Sequence, residues 1–230
     1  MVGGGEQGGT GPAKRIQTRT DRPIPSPVQL VRFIDEARKT KTGNQLVVWL
    51  KLRALTGMRP RESFHLSWLD LDFERSQIYI RPKDGNSLKS RRFRVVEMHP
   101  DLKQALLDWR KEWEKKFQGR GYPHDWVFFH PFHPEKRAKS FVKAFSNARK
   151  KAGLPNFRPY DLRHYFISHA IMSGVDTFTV AKWAGHRNTK MIEEVYGHLS
   201  PEFRAAQMRK VDIKFGDGTR SAPSQTGQGT

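Results

Sequence analysis

Residues 77–98, QIYIRPKDGNSLKSRRFRVVEM, interrupt a chain whose apolar spacing is otherwise helical. Within QIYIRP (77–82) and RRFRVVEM (91–98), apolar and polar side chains alternate, as in strands with one buried face. Asp84-Gly85 between them is a turn signal, because both residues tolerate the backbone angles of a tight hairpin. A single hairpin inside a helical chain predicts a mainly α fold of the α+β class, helices around a small antiparallel sheet.

Outward from the hairpin the period is close to 3.6. Ser26-Pro27 is an N-cap followed by a first-turn proline and opens a helix to about Thr40. A second apolar helix over 44–56 is stopped by Gly57, and a third begins near Pro60. Further helices are expected at about 101–117, 138–152, 160–173, 177–184 and 188–196, with WVFF (126–129) as a short strand. In the 138–152 segment Phe141, Phe145, Ala148 and Ala152 form one stripe, and Lys139, Lys143, Arg149 and Lys150 lie elsewhere. Residues 1–24 are rich in Gly, Thr and Arg, and 213–230 in Gly, Ser and Pro; both read as flexible tails flanking one domain over 25–212. The N-terminal glycines follow no strand and precede no GK[ST], so they make no phosphate-binding loop.

Composition narrows the partner. The 230 residues carry 42 Lys+Arg against 23 Asp+Glu, a net charge of +19. Such an excess implies a polyanion, nucleic acid first and an acidic membrane surface second. No run of 18 apolar residues spans a bilayer, and the N-terminus has no secretory apolar core. The chain has no cysteine, which excludes disulfides, thiolate zinc sites and cysteine nucleophiles. His124, His130 and His133 lie in a Pro-rich loop without a carboxylate cluster, a poor set of metal ligands. A cytoplasmic protein facing nucleic acid is the expectation.

Three segments carry candidate chemistry. In TGMRPRESFHLSW (56–68), Gly57 ends one helix and Arg59-Pro60 starts the next. Arg59 thus sits at a helix start, where a forked cation and free N–H groups suit an anion, and Glu62 can hold it by a charge-assisted hydrogen bond. A surface arginine at a helix break is the plainer reading. In RPYDLRHYFISHA (158–170), Tyr160, Arg163, His164 and Ile167 share one helix face beside an apolar face of Leu162, Phe166 and Ala170. That is a site wall or an ordinary amphipathic helix with an ion pair to Asp161. The hairpin KDGNSLKSRRFR (83–94) holds five basic residues, fitting a solvated face or a DNA backbone.

Taken in order, TGMR with Arg59, Lys83 at the β-turn, DLRH with Arg163 and His164, GH with His186, and Tyr196 in YGHLSPE resemble the catalytic domain of the tyrosine recombinases, the phage-integrase family. The resemblance covers about residues 26–205 and implies a DNA breaking-rejoining fold. It implies that Arg59 and Arg163 bind the non-bridging oxygens of a scissile phosphate, and that Lys83 protonates the 5′-hydroxyl leaving group. His186 would donate a hydrogen bond to the phosphate, and Tyr196 would attack to form a 3′-phosphotyrosyl link. Tyr160, His164 and Glu62 are expected in support, with Lys89, Arg91, Arg92, Lys139 and Lys143 on DNA; Lys89 is a second candidate for the hairpin lysine. The implied reaction is site-specific recombination of double-stranded DNA, as in mobile elements, without metal, nucleotide, other cofactor or small-molecule substrate. Protomers would assemble as dimers or tetramers on DNA, with a monomer in solution allowed, in a prokaryotic or phage nucleoid setting.

The residue types suit that chemistry. Phosphoryl transfer concentrates charge on equatorial oxygens, which two fixed guanidiniums neutralise. A phenol of pKa about 10 needs a cationic pocket to react near neutral pH. Two departures stand out. The family most often has histidine, sometimes lysine, three residues before its second arginine, where this chain has Tyr160, a donor but a poor base; an altered rate is expected. The family's usual N-terminal helical domain has no counterpart in residues 1–24, as in a fragment or a short member. A non-catalytic DNA-binding module and a type IB topoisomerase are the rival readings.

Overall fold

A helix that is apolar on every side has to be central, and the chain is arranged around one. In the computed structural model, described over residues 25–82, 93–118, 125–186, 188–190 and 192, helix α2 (Gly43–Thr56) is that element. Leu46, Val47, Val48, Trp49, Leu50 and Leu52 on it are all buried. Helix α1 (Pro27–Arg38) packs across it, opened by a capping box in which Ser26 and Gln29 exchange side-chain to backbone hydrogen bonds of 2.9 and 3.2 Å. The expected 44–56 helix and the Ser26-Pro27 start are therefore as read from the sequence.

Gly57 ends α2 with φ 63°, and a Cβ there would stand 2.5 Å from the Phe166 ring, so glycine is required both for the angle and for the approach. One turn, α3 (Pro60–Ser63), follows. The sheet has three strands in the order β1 (Leu71–Asp72), β2 (Gln77–Ile80), β3 (Arg94–Glu97), all antiparallel. Ile78 faces Val96 and Ile80 faces Arg94 in register. The expected hairpin pairing is present, with Ile78, Ile80 and Val96 buried. Its two described strands are shorter than the alternation suggested, ending at Ile80 before Arg81-Pro82, since proline has no N–H to give the ladder. The two-residue β1 was not expected; it is too short to show a period.

Helix α4 (Pro100–Phe117) buries Leu102, Leu106, Trp109 and Phe117. WVFF is extended but is not a ladder strand: it makes isolated bridges, Ser67 with Trp126 and Phe129 with Arg137. Its carbonyls accept instead from α4, Trp109 Nε1 donating to Val127 at 2.8 Å and Trp113 Nε1 to Trp126 at 3.1 Å. Helix α5 runs Val142–Lys151, so the expectation of helix from 138 is corrected. The Ala138 N–H is taken by the Phe128 carbonyl at 2.8 Å, and Ser140 Oγ accepts from Val142 N, starting the helix later. Helices α6 (Asp161–Met172) and α7 (Thr177–Ala184) complete the described chain, α7 being capped by Asp176 and ended by Gly185 at φ 69°. The helix expected over 188–196 lies largely outside the described residues, as do both tails. Among the described residues no helix is long and apolar enough to cross a membrane.

Candidate active site

Three helix ends and one strand meet on the side of α2 where it stops. Helix α7 exposes its last carbonyls there, the negative end of its dipole. Three arginines from three different elements take three successive carbonyls. Arg94 Nε on β3 donates to Trp183 O at 3.0 Å, Arg163 Nη1 on α6 to Ala184 O, and Arg59 Nη2 to Gly185 O at 3.0 Å. Arg163 Nη1 also donates to Gly57 O at 2.8 Å, the carbonyl that ends α2. The backbone thus anchors each guanidinium by its own distinct acceptor.

Glu62 joins two of them. Its Oε1 accepts from Arg59 Nη1 at 3.0 Å and Arg94 Nη1 at 3.1 Å, and its Oε2 from the Arg59 backbone N–H at 2.9 Å and Arg94 Nη2 at 2.6 Å. The expected Glu62–Arg59 hydrogen bond is present, within a carboxylate that is 1% exposed. Burial alone would push the Glu62 carboxyl up; the hydrogen bonds and charge of Arg94, then Arg59, outweigh it and hold the carboxyl below its ordinary value. Sequence reading passed over Arg94, because in a run of five cations it looks like more of the solvated face. Its only cue was its position on the strand.

Arg163 is 1% exposed, and its Nη2 is buried with no hydrogen-bond partner among the described residues. Burial first, and then the charge of Arg59, lower it to about 10, so it stays protonated at neutral pH. Beside it is a second arginine that the sequence did not single out. Arg53, on α2, is wholly buried, with Nε donating to Met58 O at 3.1 Å and the guanidinium 4.8 Å from the Trp49 ring centre. Both its Nη atoms lack partners among the described residues, and burial, then Arg163, lower it to about 9.

His186 follows Gly185, its backbone N–H bonded to Ala181 O at 2.9 Å and its Nδ1 buried without a partner among the described residues. Burial, and then Arg163, Arg59, His164 and Arg94, lower it to about 4, so the ring is neutral at pH 7. Tyr160 caps the start of α6, partly exposed, its ring 5.4 Å from the His164 ring in an edge contact. Of the face expected on α6, Tyr160 and His164 stay toward the surface, while Arg163 and Ile167 turn into the core. Lys139 and Lys143 are exposed near the start of α5 and do not hydrogen-bond to the arginine cluster. Lys83, Lys89, Arg91, Arg92 and Tyr196 lie outside the described residues. His130 Nδ1 accepts from the backbone N–H of Phe132 and His133 at 3.3 and 3.1 Å, so His130 builds its own turn. No cluster of three His, Cys, Asp or Glu able to hold a metal occurs among the described residues.

The cluster therefore holds four guanidiniums, Arg53, Arg59, Arg94 and Arg163, around the Glu62 carboxylate. Neither Arg53 nor Arg163 makes an ion pair among the described residues. An excess of buried positive charge with open donors suits an anion, and Arg59, with 30% of its side chain exposed, faces outward.

The chain and its fold are similar to those of known proteins. The ICEBs1 integrase of Bacillus subtilis (strain 168) is 27% identical over 174 residues, covering 69% of this chain and 46% of that protein. The integrase of Salmonella phage P22 is 26% identical over 201 residues, covering 83% and 47%. The chain thus spans about half the length of these curated relatives. Among solved structures, a fragment of the Tn1549 transposon integrase in complex with a circular intermediate DNA superposes with a TM-score of 0.65 at 18% identity, over 83% of this chain and 67% of that one. The phage integrase family model matches residues 26–202, a stretch that carries Arg59, Glu62, Arg163, His186 and Tyr196 together, and the chain belongs to that family.

Proposed function

We propose that this chain is the catalytic part of a site-specific DNA recombinase that cleaves and rejoins duplex DNA through a 3′-phosphotyrosyl intermediate. The observation that carries the reading is the buried, carboxylate-poor arginine cluster at the joint ends of α2 and α7. Its open donors suit the tetrahedral oxygens of a phosphodiester, and the net charge of +19 suits the polyanion around it. The Tn1549 complex, a DNA-bound protein of the same fold, agrees with duplex DNA as the partner.

In the proposed step Arg59 and Arg163 hold the non-bridging oxygens, and the neutral His186 ring donates a further hydrogen bond. The Tyr196 hydroxyl oxygen bonds to phosphorus and gives up its proton to a base. The P–O5′ bond breaks, and Lys83 gives a proton to the departing 5′-oxygen. Tyr160 serves as a donor to phosphate rather than as that base. Because the phosphotyrosyl bond conserves the energy of the phosphodiester, attack by another 5′-hydroxyl rejoins the strand without nucleotide. The guanidiniums neutralise the developing charge, so the chemistry closes without a metal. Protomers would assemble on DNA as dimers or tetramers.

Incubating the protein with labelled duplex DNA in chelator tests the reading. An SDS-resistant protein–DNA adduct, abolished by Tyr196→Phe, is expected. Binding without an adduct would favour a non-catalytic DNA-binding module, and supercoil relaxation without strand exchange a topoisomerase.

A further inference from the structure

We infer that Arg94 is a positioning residue of this site, a strut that fixes Glu62 and the end of α7 so that Arg59 is held in one orientation. The inference rests on the proposed function for the consequence of that orientation, but its geometry stands alone.

All three nitrogens of the Arg94 guanidinium hydrogen-bond inward. Nε is bonded to Trp183 O, and Nη1 and Nη2 grip opposite oxygens of Glu62, leaving the side chain 10% exposed. These bonds to a carbonyl and to both carboxylate oxygens fix the guanidinium in place within the protein. It fills two of the four acceptor positions on Glu62, and Arg59 fills the other two through its backbone N–H and Nη1. With Arg94 present the carboxylate cannot rotate to chelate Arg59 with both oxygens, so Nη2 of Arg59 stays on Gly185 O. Remove Arg94, and Glu62 keeps a buried charge facing one cation, free to reorient it.

The strand also fastens α7. Arg94 holds the Trp183 carbonyl, and the Trp183 indole N–H donates to Glu97 Oε2 on the same strand. Gly185 is the counterpart of this strut. A Cβ there would stand 3.0 Å from Arg94 Cζ and Nη1, so the glycine of the Gly-His pair gives Arg94 room while its own carbonyl receives Arg59. Lysine in place of arginine would keep the charge but could not span two carboxylate oxygens and a carbonyl at once.

The test uses Arg94→Lys, Arg59→Lys and the double variant in the full chain. In single-turnover cleavage of a nicked suicide duplex, Arg94→Lys should slow the step roughly ten- to a hundredfold, the range for partners that orient a first contact, with DNA affinity near wild type. The double variant should be no slower than Arg59→Lys alone, because Arg94 acts through Arg59. Multiplying effects would overturn the inference. A second arm needs no activity: with 15N-labelled arginine, the Arg59 Nε–Hε signal, identified by its loss in Arg59→Lys, should shift or broaden in Arg94→Lys. An unchanged Arg59 signal would overturn the inference even where cleavage falls. A wild-type chain that forms no adduct would defeat the functional reading, while the Arg59 signal would still decide the role of Arg94.

Discussion

Two buried regions touch opposite parts of α2, and they are built by opposite rules. Toward its middle, Trp49 stacks on Phe64 at 5.3 Å between ring centres and meets Phe141 and Phe145 edge-on, and Phe33 meets Phe145 at 4.9 Å. The indole N–H there is satisfied, Trp49 Nε1 donating to Ser63 Oγ at 2.7 Å. One turn later Arg53 is equally buried, yet its Nη atoms and Arg163 Nη2 lack partners among the described residues. The aromatic region contributes stability; the arginine region holds charge where the fold gains least from it. Such conflict between local stability and burial is expected where a site must bind something.

The contrast can be broken from either side. The largest stability effect should come from Phe145→Ala, which empties the centre of the aromatic cluster and should cost about 3–5 kcal/mol, read by chemical denaturation. The arginine cluster should keep its geometry in whatever fraction stays folded.

Arg53→Met is the sharper case. Replacing a buried, unpaired charge by an apolar side chain of similar length should leave stability unchanged or raise it by up to about 1–2 kcal/mol, despite losing the bond to Met58 O. Cleavage and phosphate affinity should fall, because the cationic potential beneath Arg163 is reduced. A clear loss of stability would show that Arg53 belongs with the core instead.

The smallest effect concerns pH. His186 has its folded value lowered to about 4, below the ordinary 6.5, so the unfolded chain binds the extra proton between those values. Its contribution to stability is fully present above 6.5 and is lost as pH falls toward 4. Thermal denaturation across that window should show a steeper decline for wild type than for His186→Gln. The ring is only partly buried, so the difference should be small. Bound DNA should raise the His186 value, since a phosphate favours the charged ring.

Much of this was legible in the chain. The helical period, the pairing of the two hairpin strands, the stop at Gly57 and the Ser26-Pro27 start all follow from local rules, and the structure has each of them; the Asp84-Gly85 turn lies outside the described residues. Arg59 and Glu62 stood out at a helix boundary, whereas Arg163 and His186 stood out through the resemblance of DLRH and GH to the family's motifs. The start of α5 and the status of WVFF were missed because side chains and carbonyls from other elements decide them. Arg53 and Arg94 were missed for the same reason: each is one cation among many until the fold removes it from water.

The sequence alone therefore determined the class of the fold, the expectation of a polyanionic partner and the order of the candidate residues, because periodicity, charge and motif order are properties of the chain. Only the tertiary structure decided which cations are buried, which carbonyls hold them and which carboxylate they share. Burial and hydrogen-bond geometry depend on elements far apart in sequence, as when β3, α3 and α6 send arginines to three neighbouring carbonyls at the end of α7.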